Sequence, residues 1–430
     1  MEKEINMPTV GFVGLSHLGL VTSTVLSSFG VKTICFDTEK SLIDELIQGV
    51  STISEPYLIE LLNATKKFQN FTSDISDLES CDLVYISCDV PTNSEGTSDT
   101  RLIEDLLILV QQNLKVATIV ILSQVYPGFT RKISQISSCN IFYQVETLIF
   151  GDAVHRSQNQ TRIIIGSKSK SDQLPPYLIQ ILKLYNCPIF VFDFETAELT
   201  KVAINSFLAS DVALTNTLAE FSEKINADWG NIVEALVLDQ RIGAHRYLKP
   251  GLGIAGGNIE RDLKTLLTLS SQLGVNDNIL KAIVSVNQYH LDWVFRKLRE
   301  NYILDSPQKN IGILGLTYKE NTNSLKNSPA LRLIEQLPKT FRISAYDPVI
   351  KSLDLMPEYP ISLVASPVKL IQESDVILIM TPWDEFRSVF YSVDSSDIKG
   401  KILIDPFRIF IKDSKILDQS VYITIGSTQL

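Results

Sequence analysis

The chain has 430 residues, and its 39 Lys or Arg residues against 49 Asp or Glu residues give a formal net charge of −10. A hydrophobic fraction of 45% with 20% charged residues is typical of a globular protein and excludes a disordered one. The acidic balance argues against a nucleic-acid partner, and no apolar run approaches the roughly 20 residues of a membrane span.

The cysteines indicate a reducing compartment. Cys35, Cys81, Cys88, Cys139 and Cys187 form no CxxC pair and no Cys/His ligand spacing. An odd number of cysteines, together with an N-terminus that lacks a secretory pattern, favours reduced thiols in the cytoplasm. We therefore expect a cytoplasmic protein without a metal site.

The first part of the chain alternates short apolar runs with stretches of helical spacing. A run over 8–13 stops at Gly14, a helical stretch follows to about Phe29, and a second run over 32–36 ends at Asp37. Strand, turn, helix and strand in this order form a βαβ unit. The pattern predicts a mostly parallel, doubly wound sheet. Its further strands are predicted over 83–87, 118–122, 141–145, 162–165 and 188–192.

The middle of the chain predicts one long helix. From Glu195 to Ala227, apolar residues recur every three or four positions without a proline. This length exceeds the usual helix of about 11–12 residues. Such a helix either connects two domains or also carries a dimer interface.

A second βαβ-like series opens at Asn310, about 300 residues after the first. Its strands are predicted over 311–314, 342–345, 376–380 and 401–404. We therefore predict an α/β fold with two Rossmann-like, doubly wound parallel-sheet domains. A central helical domain with a long helix joins them.

The turn after the first strand has the spacing of a dinucleotide fingerprint. The segment 14–19 follows G-x-G-x-x-G, with Ser16 in place of the second glycine. The three glycines of this pattern serve the tight turn, the approach of a pyrophosphate and helix–strand packing. Asp37 is placed to accept hydrogen bonds from ribose hydroxyls and to repel a 2′-phosphate, which predicts NAD rather than NADP. The alternative is a domain that kept the turn and lost the ligand.

Motifs along essentially the whole chain resemble those of the nucleotide-sugar 6-dehydrogenases, the family of UDP-glucose and GDP-mannose dehydrogenases. The resemblance implies an NAD-binding domain over 1–195, a helical dimerisation domain over 196–305 and a nucleotide-sugar-binding domain over 306–430. It also implies a homodimer. The matching segments are 11–15, 54–62, 90–92, 198–209, 238–243, 315–319, 327–330, 346–348 and 381–386.

The resemblance also implies the residues of the site. Family enzymes oxidise the sugar C6 alcohol to a carboxylate in two hydride transfers, which need a base, oxyanion donors and a nucleophile. The catalytic positions are Lys201, Asn205, Glu146, Asp262 and Asn258. The NAD positions are Gly14, Ser16, His17, Leu18, Gly19, Asp37, Pro91, Ser123 and Lys326. The nucleotide-sugar positions are Arg241, Lys249, Gly253, Tyr318 and Lys319.

One departure from the family pattern bears directly on the chemistry. Counting forward from Lys249 and back from Asp262 places Asn258 where the family has its nucleophilic cysteine. An amide is not a nucleophile at neutral pH, so the thiol-dependent second oxidation is expected to be disabled. Three further departures are Gln124 for a threonine, Phe150 for a glutamate and Lys326 for an arginine, the last with loss of bidentate geometry.

These observations leave three hypotheses. The first is an NAD-dependent oxidoreductase of nucleotide sugars in a polysaccharide or sugar-modifying pathway, which either stops at an aldehyde or traps it with water directly. The second is a catalytically inactive homologue that binds the nucleotide sugar or pairs with an active relative. The third is a 3-hydroxyacyl or 6-phosphogluconate-type dehydrogenase, which is disfavoured because those enzymes lack the motifs over 315–386.

Overall fold

The computed structural model describes residues 7–51, 53–92, 96, 98–115, 118–352, 361–410 and 413–427. The chain divides into two units, Met1–Ile204 (unit 1) and Asn205–Leu430 (unit 2). The division lies inside one long helix. The predicted three-domain boundaries at 195 and 305 therefore stay a prediction.

Unit 1 contains an eight-stranded sheet. Its strands are β1 (Val10–Val13), β2 (Thr33–Phe36), β3 (Gln69–Thr72), β4 (Leu83–Ile86), β5 (Thr118–Ile121), β6 (Asn140–Gln144), β7 (Ile163–Ser167) and β8 (Ile189–Asp193). Their order is β3-β2-β1-β4-β5-β6-β7-β8. Neighbours pair in parallel except β6 and β7, which pair antiparallel.

Helices cover both faces of this sheet. The helices of unit 1 are α1 (His17–Ser28), α2 (Lys40–Gln48), α3 (Leu58–Thr65), α4 (Arg101–Asn113), α5 (Phe129–Ile136), α6 (Ala153–Gln158) and α7 (Pro176–Lys183). Alternate residues of β1 enter two separate hydrophobic cores, with Phe12 in one and Val13 in the other. Burial on both faces explains why the parallel strands are continuous apolar runs without a polar alternation.

Unit 2 contains the second sheet. Its strands are β9 (Asn310–Leu314), β10 (Arg342–Tyr346), β11 (Ile361–Leu363), β12 (Val376–Ile379), β13 (Ile402–Asp405) and β14 (Val421–Thr424). All five neighbouring pairs are parallel, in the order β11-β10-β9-β12-β13-β14. This order matches the first six strands of the other sheet and is that of a dinucleotide-binding fold.

The long helix has the predicted place and length. Helix α8 (Phe194–Lys224) has 31 residues and crosses the division between the units. Together with the two sheets, it confirms the predicted α/β fold. The helices that follow in unit 2 are α9 (Trp229–Leu236), α10 (Asn258–Leu273), α11 (Asn278–Leu291), α12 (Trp293–Glu300), α13 (Pro329–Gln336), α14 (Pro367–Glu373), α15 (Asp384–Ser392), α16 (Ser395–Ile398) and α17 (Ser414–Gln419).

Three strands were not predicted, and all three lie at sheet edges. Strand β3 reads Gln-Asn-Phe-Thr, β11 has three residues, and β14 has four. Edge strands pair on one side only and tolerate polar residues. The polar residues of β3 and the central serine of β11 leave no continuous apolar run in these two strands, and all three depend on pairing with a neighbouring strand.

Candidate functional site

The turn between β1 and α1 explains two glycines of the fingerprint. Gly14 has a φ of 90°, and a Cβ atom at this position would lie 2.8 Å from the Cβ of Cys88. A Cβ at Gly19 would overlap the carbonyl oxygen of Gly14. Both residues must be glycine because the turn packs closely against the end of β4 and against the first turn of α1.

Ser16 has a tertiary role at the position of the missing glycine. It is the N-cap residue of α1. Its Oγ accepts a hydrogen bond from the backbone N–H of Asp89 at 2.7 Å. The substitution therefore links the turn to the loop after β4 and leaves the helix N-terminus in place for a pyrophosphate.

Asp37 supports the same turn from the end of β2. Its Oδ2 accepts from the backbone N–H of Leu15 at 2.7 Å, and its Oδ1 accepts from that of Glu39 at 3.0 Å. The residue is half-buried. Because each carboxylate oxygen accepts more than one hydrogen bond, Asp37 retains capacity for ribose hydroxyls.

The second sheet carries a similar turn with a different outcome. Gly315 has a φ of 96°, and Asp347 occupies the position after β10. Asp347 is almost fully buried and accepts from the backbone N–H groups of Leu316, Thr317, Val349 and Ile350. Four backbone donors saturate this carboxylate, so it supports its own loop and is closed to a ribose.

Pro91 follows β4 and Ser123 follows β5 in unit 1. Ser123 Oγ donates to the carbonyl of Cys88 at 2.6 Å, which joins the ends of β4 and β5. Pro91 is exposed, and its carbonyl accepts from the N–H of Asp99. Both residues therefore lie at the carboxyl edge of the sheet, where ligands bind in folds of this type.

His17 belongs to a cluster that the sequence did not reveal. Its Nε2 lies 2.9 Å from Oε2 of the buried Glu55, and its ring stacks on Phe150 with centroids 4.0 Å apart. Glu55 belongs to the family-like segment 54–62, but no local pattern pointed to its partners. The cluster is formed by residues up to 133 positions apart, from the N-terminus of α1 and two loops.

Glu146 and Lys201 are the two predicted catalytic residues that lie in unit 1. Oε1 of Glu146 is buried and has no hydrogen-bond partner among the described residues. Burial raises the pKa of the Glu146 carboxyl, and the nearby Lys201 ammonium counteracts part of that shift. Lys201 itself is only 7% exposed, on α8. A buried carboxyl with a raised pKa and an unsatisfied oxygen is a candidate proton acceptor.

Asn205 and Asp262 form a buried pair within unit 2. Asn205 Nδ2 donates to Asp262 Oδ2 at 2.6 Å, which joins α8 to the N-terminal part of α10. Arg261 Nε lies 3.9 Å from Asp262 Oδ1. Asp262 is thus more than a helix-terminal carboxylate, because it orients the Asn205 amide.

The glycine-rich segment 251–257 is held by two asparagines. Asn287 accepts from the N–H of Ile254 at 2.6 Å and donates to its carbonyl at 3.0 Å. Asn216 accepts from the N–H of Gly251 at 2.9 Å. A Cβ at Gly253 would lie 2.5 Å from Asn287 Oδ1, so this glycine is required by the contact. The next residue is Asn258, the first residue of α10, which is exposed.

Two of the predicted ligand residues pack on the end of this segment. A Cβ at Gly256 would lie 3.0 Å from the Tyr318 ring, and one at Gly257 would lie 2.8 Å from Lys326 Nζ. Burial lowers the pKa of the Lys326 amine, and the charge of Arg261 adds to that shift. Tyr318 and Lys326 are therefore brought beside the residues that precede Asn258.

The other predicted nucleotide-sugar residues are less constrained. Lys319 Nζ lies 6.0 Å from the centroid of the Tyr318 ring. Arg241 is exposed, and its guanidinium pairs with Asp239 at 3.0 and 2.6 Å. Lys249 is exposed as well. For Arg241 and Lys249, a role in binding rests on the sequence.

No group of three or more His, Cys, Asp or Glu side chains in the described part of the chain is arranged to hold a metal ion. No helix in the same part of the chain combines the length and apolarity needed to cross a bilayer.

Comparison with known families gives three matches in chain order. The model described as the NAD binding domain of the UDP-glucose/GDP-mannose dehydrogenase family matches residues 8–186. The central-domain model of that family matches residues 195–289. Its UDP-binding-domain model matches residues 312–412.

Individual relatives are similar over nearly their whole length. UDP-glucose 6-dehydrogenase TuaD of Bacillus subtilis is 26% identical, covering 98% of this chain and 93% of that protein. UDP-glucose 6-dehydrogenase of Rickettsia typhi is 30% identical, covering 97% of both. The solved structure of a UDP-glucose dehydrogenase from Pyrobaculum islandicum superimposes with a TM-score of 0.86 over 100% of both chains, at 23% identity, and so shares the fold.

Proposed function

The chain belongs to the UDP-glucose/GDP-mannose dehydrogenase family, and on that basis we propose that it oxidises the C6 alcohol of a nucleotide sugar but is impaired in the second oxidation, from aldehyde to acid. Its cofactor is NAD, and its ligand is a nucleotide sugar. Such an activity serves polysaccharide or other sugar-nucleotide metabolism.

The proposal rests on Asn258, the first residue of α10. Asn258 directly follows the glycine-rich segment and precedes the buried Asp262 by four residues. In the family pattern, a cysteine stands at this place. All five cysteines of the chain lie before residue 190, so none of them belongs to unit 2.

We assign the first oxidation to the polar groups around α8. Lys201 and Asn205 are four residues apart on this helix and can donate to one substrate oxygen. Asp262 orients the Asn205 amide through the 2.6 Å hydrogen bond. Glu146 accepts the hydroxyl proton with its unsatisfied oxygen. NAD supplies the acceptor for the hydride.

The second oxidation needs one more group. The aldehyde carbon must first gain an oxygen or sulfur nucleophile before it can lose a hydride. The Asn258 amide donates a hydrogen bond to an oxyanion but forms no thiohemiacetal. Aldehyde oxidation must then depend on water as the nucleophile, and we expect it to be much slower than alcohol oxidation.

The residues of the β1–α1 turn fit NAD. The glycine turn, the N-terminus of α1 and the half-buried Asp37 carboxylate match the needs of the pyrophosphate and the ribose. We expect NAD to bind more tightly than NADP by about tenfold or more, because Asp37 repels a 2′-phosphate. Calorimetric titration with both cofactors measures the ratio. Equal or tighter binding of NADP would rule out this role for Asp37, and Asp37→Ala should reduce the preference.

A homodimer is also part of the proposal, and it rests on one stripe of α8. Phe207, Leu214, Leu218 and Phe221 recur at the spacing of a helix–helix seam, and Phe207 and Phe221 are 70% and 61% exposed. A stripe of large exposed apolar residues marks an interaction surface. A second copy of the helix presents the same stripe and can pack against it about a twofold axis.

We expect a dimeric mass by light scattering and a monomeric mass for the double variant Phe207→Glu/Phe221→Glu, because two buried charges per subunit would be unpaired. Ile136→Glu is the control, since Ile136 is 79% exposed on α5 and lies in unit 1. A monomeric wild type, or a double variant that stays dimeric, would refute the assignment of this stripe.

The proposed function is tested by NADH formation with a panel of UDP- and GDP-sugars, with the oxidation state of the product determined. The proposal requires an aldehyde or its hydrate as the early product. No NADH with any nucleotide sugar, despite binding of NAD and UDP, would instead favour an inactive homologue. Rapid formation of the acid would refute the impairment.

A further inference from the structure

Glu55 is a buried carboxylate in the loop between α2 and α3, with more partners than its position in the chain explains. Its side chain has no exposed surface. Oε2 accepts from the backbone N–H of Gly151 at 2.9 Å, and Oε1 accepts from that of Ala153 at 2.7 Å. Burial acts to raise the pKa of the Glu55 carboxyl, but the hydrogen bond with His17 and these two backbone bonds together hold it below its usual value, so the carboxylate is ionised at neutral pH and acts only as an acceptor.

The third partner of Glu55 is His17, at the turn between β1 and α1. Since the carboxylate can only accept, His17 Nε2 is the donor of the 2.9 Å hydrogen bond to Oε2. His17 is the first residue of α1, directly after Ser16. One buried charge therefore joins the N-terminus of α1 to the backbone around Gly151.

Phe150 closes the same cluster from the other side of the imidazole. Its ring lies 4.0 Å from that of His17, with an interplanar angle of 28°. Gly151, the next residue, has a φ of 83° and donates its backbone N–H to Glu55. The geometry restrains the His17 ring between an aromatic face and a carboxylate, and leaves it few alternative rotamers.

The segment that Glu55 holds also carries Glu146. It leaves the sheet after β6, where the Val145 N–H donates to Ile164. It returns to regular structure at Ala153, the first residue of α6. Between these two points, Glu55 accepts from the backbone N–H groups of Gly151 and Ala153 and so helps to anchor its far end, seven residues beyond Glu146.

We propose that Glu55 is a positioning residue for the dehydrogenase reaction, because it holds the His17 side of the NAD turn and the 146–153 segment in one arrangement. Its effect on NAD binding follows from the turn alone, whereas its effect on turnover rests on the proposed function of Glu146. Removing the carboxylate leaves the N–H groups of His17, Gly151 and Ala153 without their acceptor. Both the β1–α1 turn and the 146–153 segment should then become less well ordered.

The test compares Glu55→Ala and Glu55→Gln with Asp82→Ala. Asp82 also accepts a backbone hydrogen bond in unit 1, from Thr9 at 2.8 Å, but at the amino ends of β1 and β4, opposite the cofactor turn. Calorimetry measures the Kd for NAD and, separately, for UDP. We expect Glu55→Ala to weaken NAD binding by about tenfold or more, with the UDP Kd unchanged. Glu55→Gln, which keeps one acceptor oxygen, should recover part of the loss.

A double-mutant cycle separates positioning from general loss of stability. Once Glu55 is Ala, His17→Ala should weaken NAD binding little further, because the two side chains act as one unit. An unchanged NAD Kd in both Glu55 variants, an equal loss in Asp82→Ala, or full additivity in the cycle would overturn the proposal. If Glu55→Ala does not fold, the ratio of the NAD Kd of Glu55→Gln to that of the wild type decides the test. A wild type that binds NAD but oxidises no sugar would refute the proposed function and leave this test intact.

Discussion

Asn258→Cys is expected to accelerate conversion of the aldehyde to the acid by more than tenfold. The wild type should release the first NADH per sugar quickly and the second slowly, since water is a weaker nucleophile than a thiolate. A thiol at residue 258 would form a covalent adduct with the aldehyde, and that adduct can lose a hydride. The N-terminus of α10 favours the thiolate that this step needs. Rapid-mixing absorbance measurements of NADH, with product analysis by mass spectrometry, resolve the two steps.

Asn258→Ala is the matched control for this experiment. It removes the amide without adding a nucleophile, so aldehyde oxidation should be no faster than in the wild type, and slower by the loss of one oxyanion donor. If Asn258→Cys changed nothing, further substitutions such as Gln124, Phe150 and Lys326 would account for the loss. If the wild type formed two NADH per sugar at about 1 per second or more, Asn258 would not impair the second oxidation, and the proposal would fail.

Glu146→Gln is expected to change activity and stability in opposite directions. The substitution removes the proton acceptor, so the rate at which the first NADH forms should fall about 10²–10⁴-fold. Because burial disfavours the charged form of Glu146 and Gln carries no charge, the substitution should raise the free energy of unfolding by about 1 kcal/mol at neutral pH. A group that catalysis needs but that is costly to bury supports activity and lowers stability, so its removal changes the two in opposite directions.

The pH dependence gives the same assignment a second readout. Burial raises the pKa of Glu146 in the folded state above its ordinary value of 4.5. Between these two pKa values, the folded state keeps a proton that the unfolded state has lost. Stability therefore falls as the pH rises through this window, and the base needed for catalysis appears only above it. The acid limb of the kcat profile should lie above pH 4.5 and disappear in Glu146→Gln.

Glu198→Gln provides the contrast. Glu198 is also a buried carboxylate with a pKa raised by burial, but its oxygens accept from the backbone N–H groups of Gly128 and Thr130 at 2.6 and 2.8 Å. Because these bonds are satisfied, its substitution should lower the unfolding temperature. A Glu146→Gln variant that is less stable than the wild type, with an unchanged pH profile, would show that Glu146 is a structural carboxylate.

The amino-acid sequence alone was sufficient for the elements whose signal is local. The apolar runs of the central strands, the glycine turn, Asp37 and the long helix α8 follow from burial on both faces, from steric limits at φ above zero and from helical spacing. These patterns act within about 30 residues along the chain. They were enough to predict the fold class and the cofactor before any tertiary contact was known.

Only the tertiary structure decided which polar groups have partners. Asp37 and Asp347 follow equivalent strands, yet one is half-buried and the other is saturated by four backbone donors. Glu55 accepts from His17, 38 residues away, and from Ala153, 98 residues away. Hydrogen bonds between distant loops leave no periodic trace in a sequence, because their free energy depends on where the fold brings each donor and acceptor and on how far it excludes water from them.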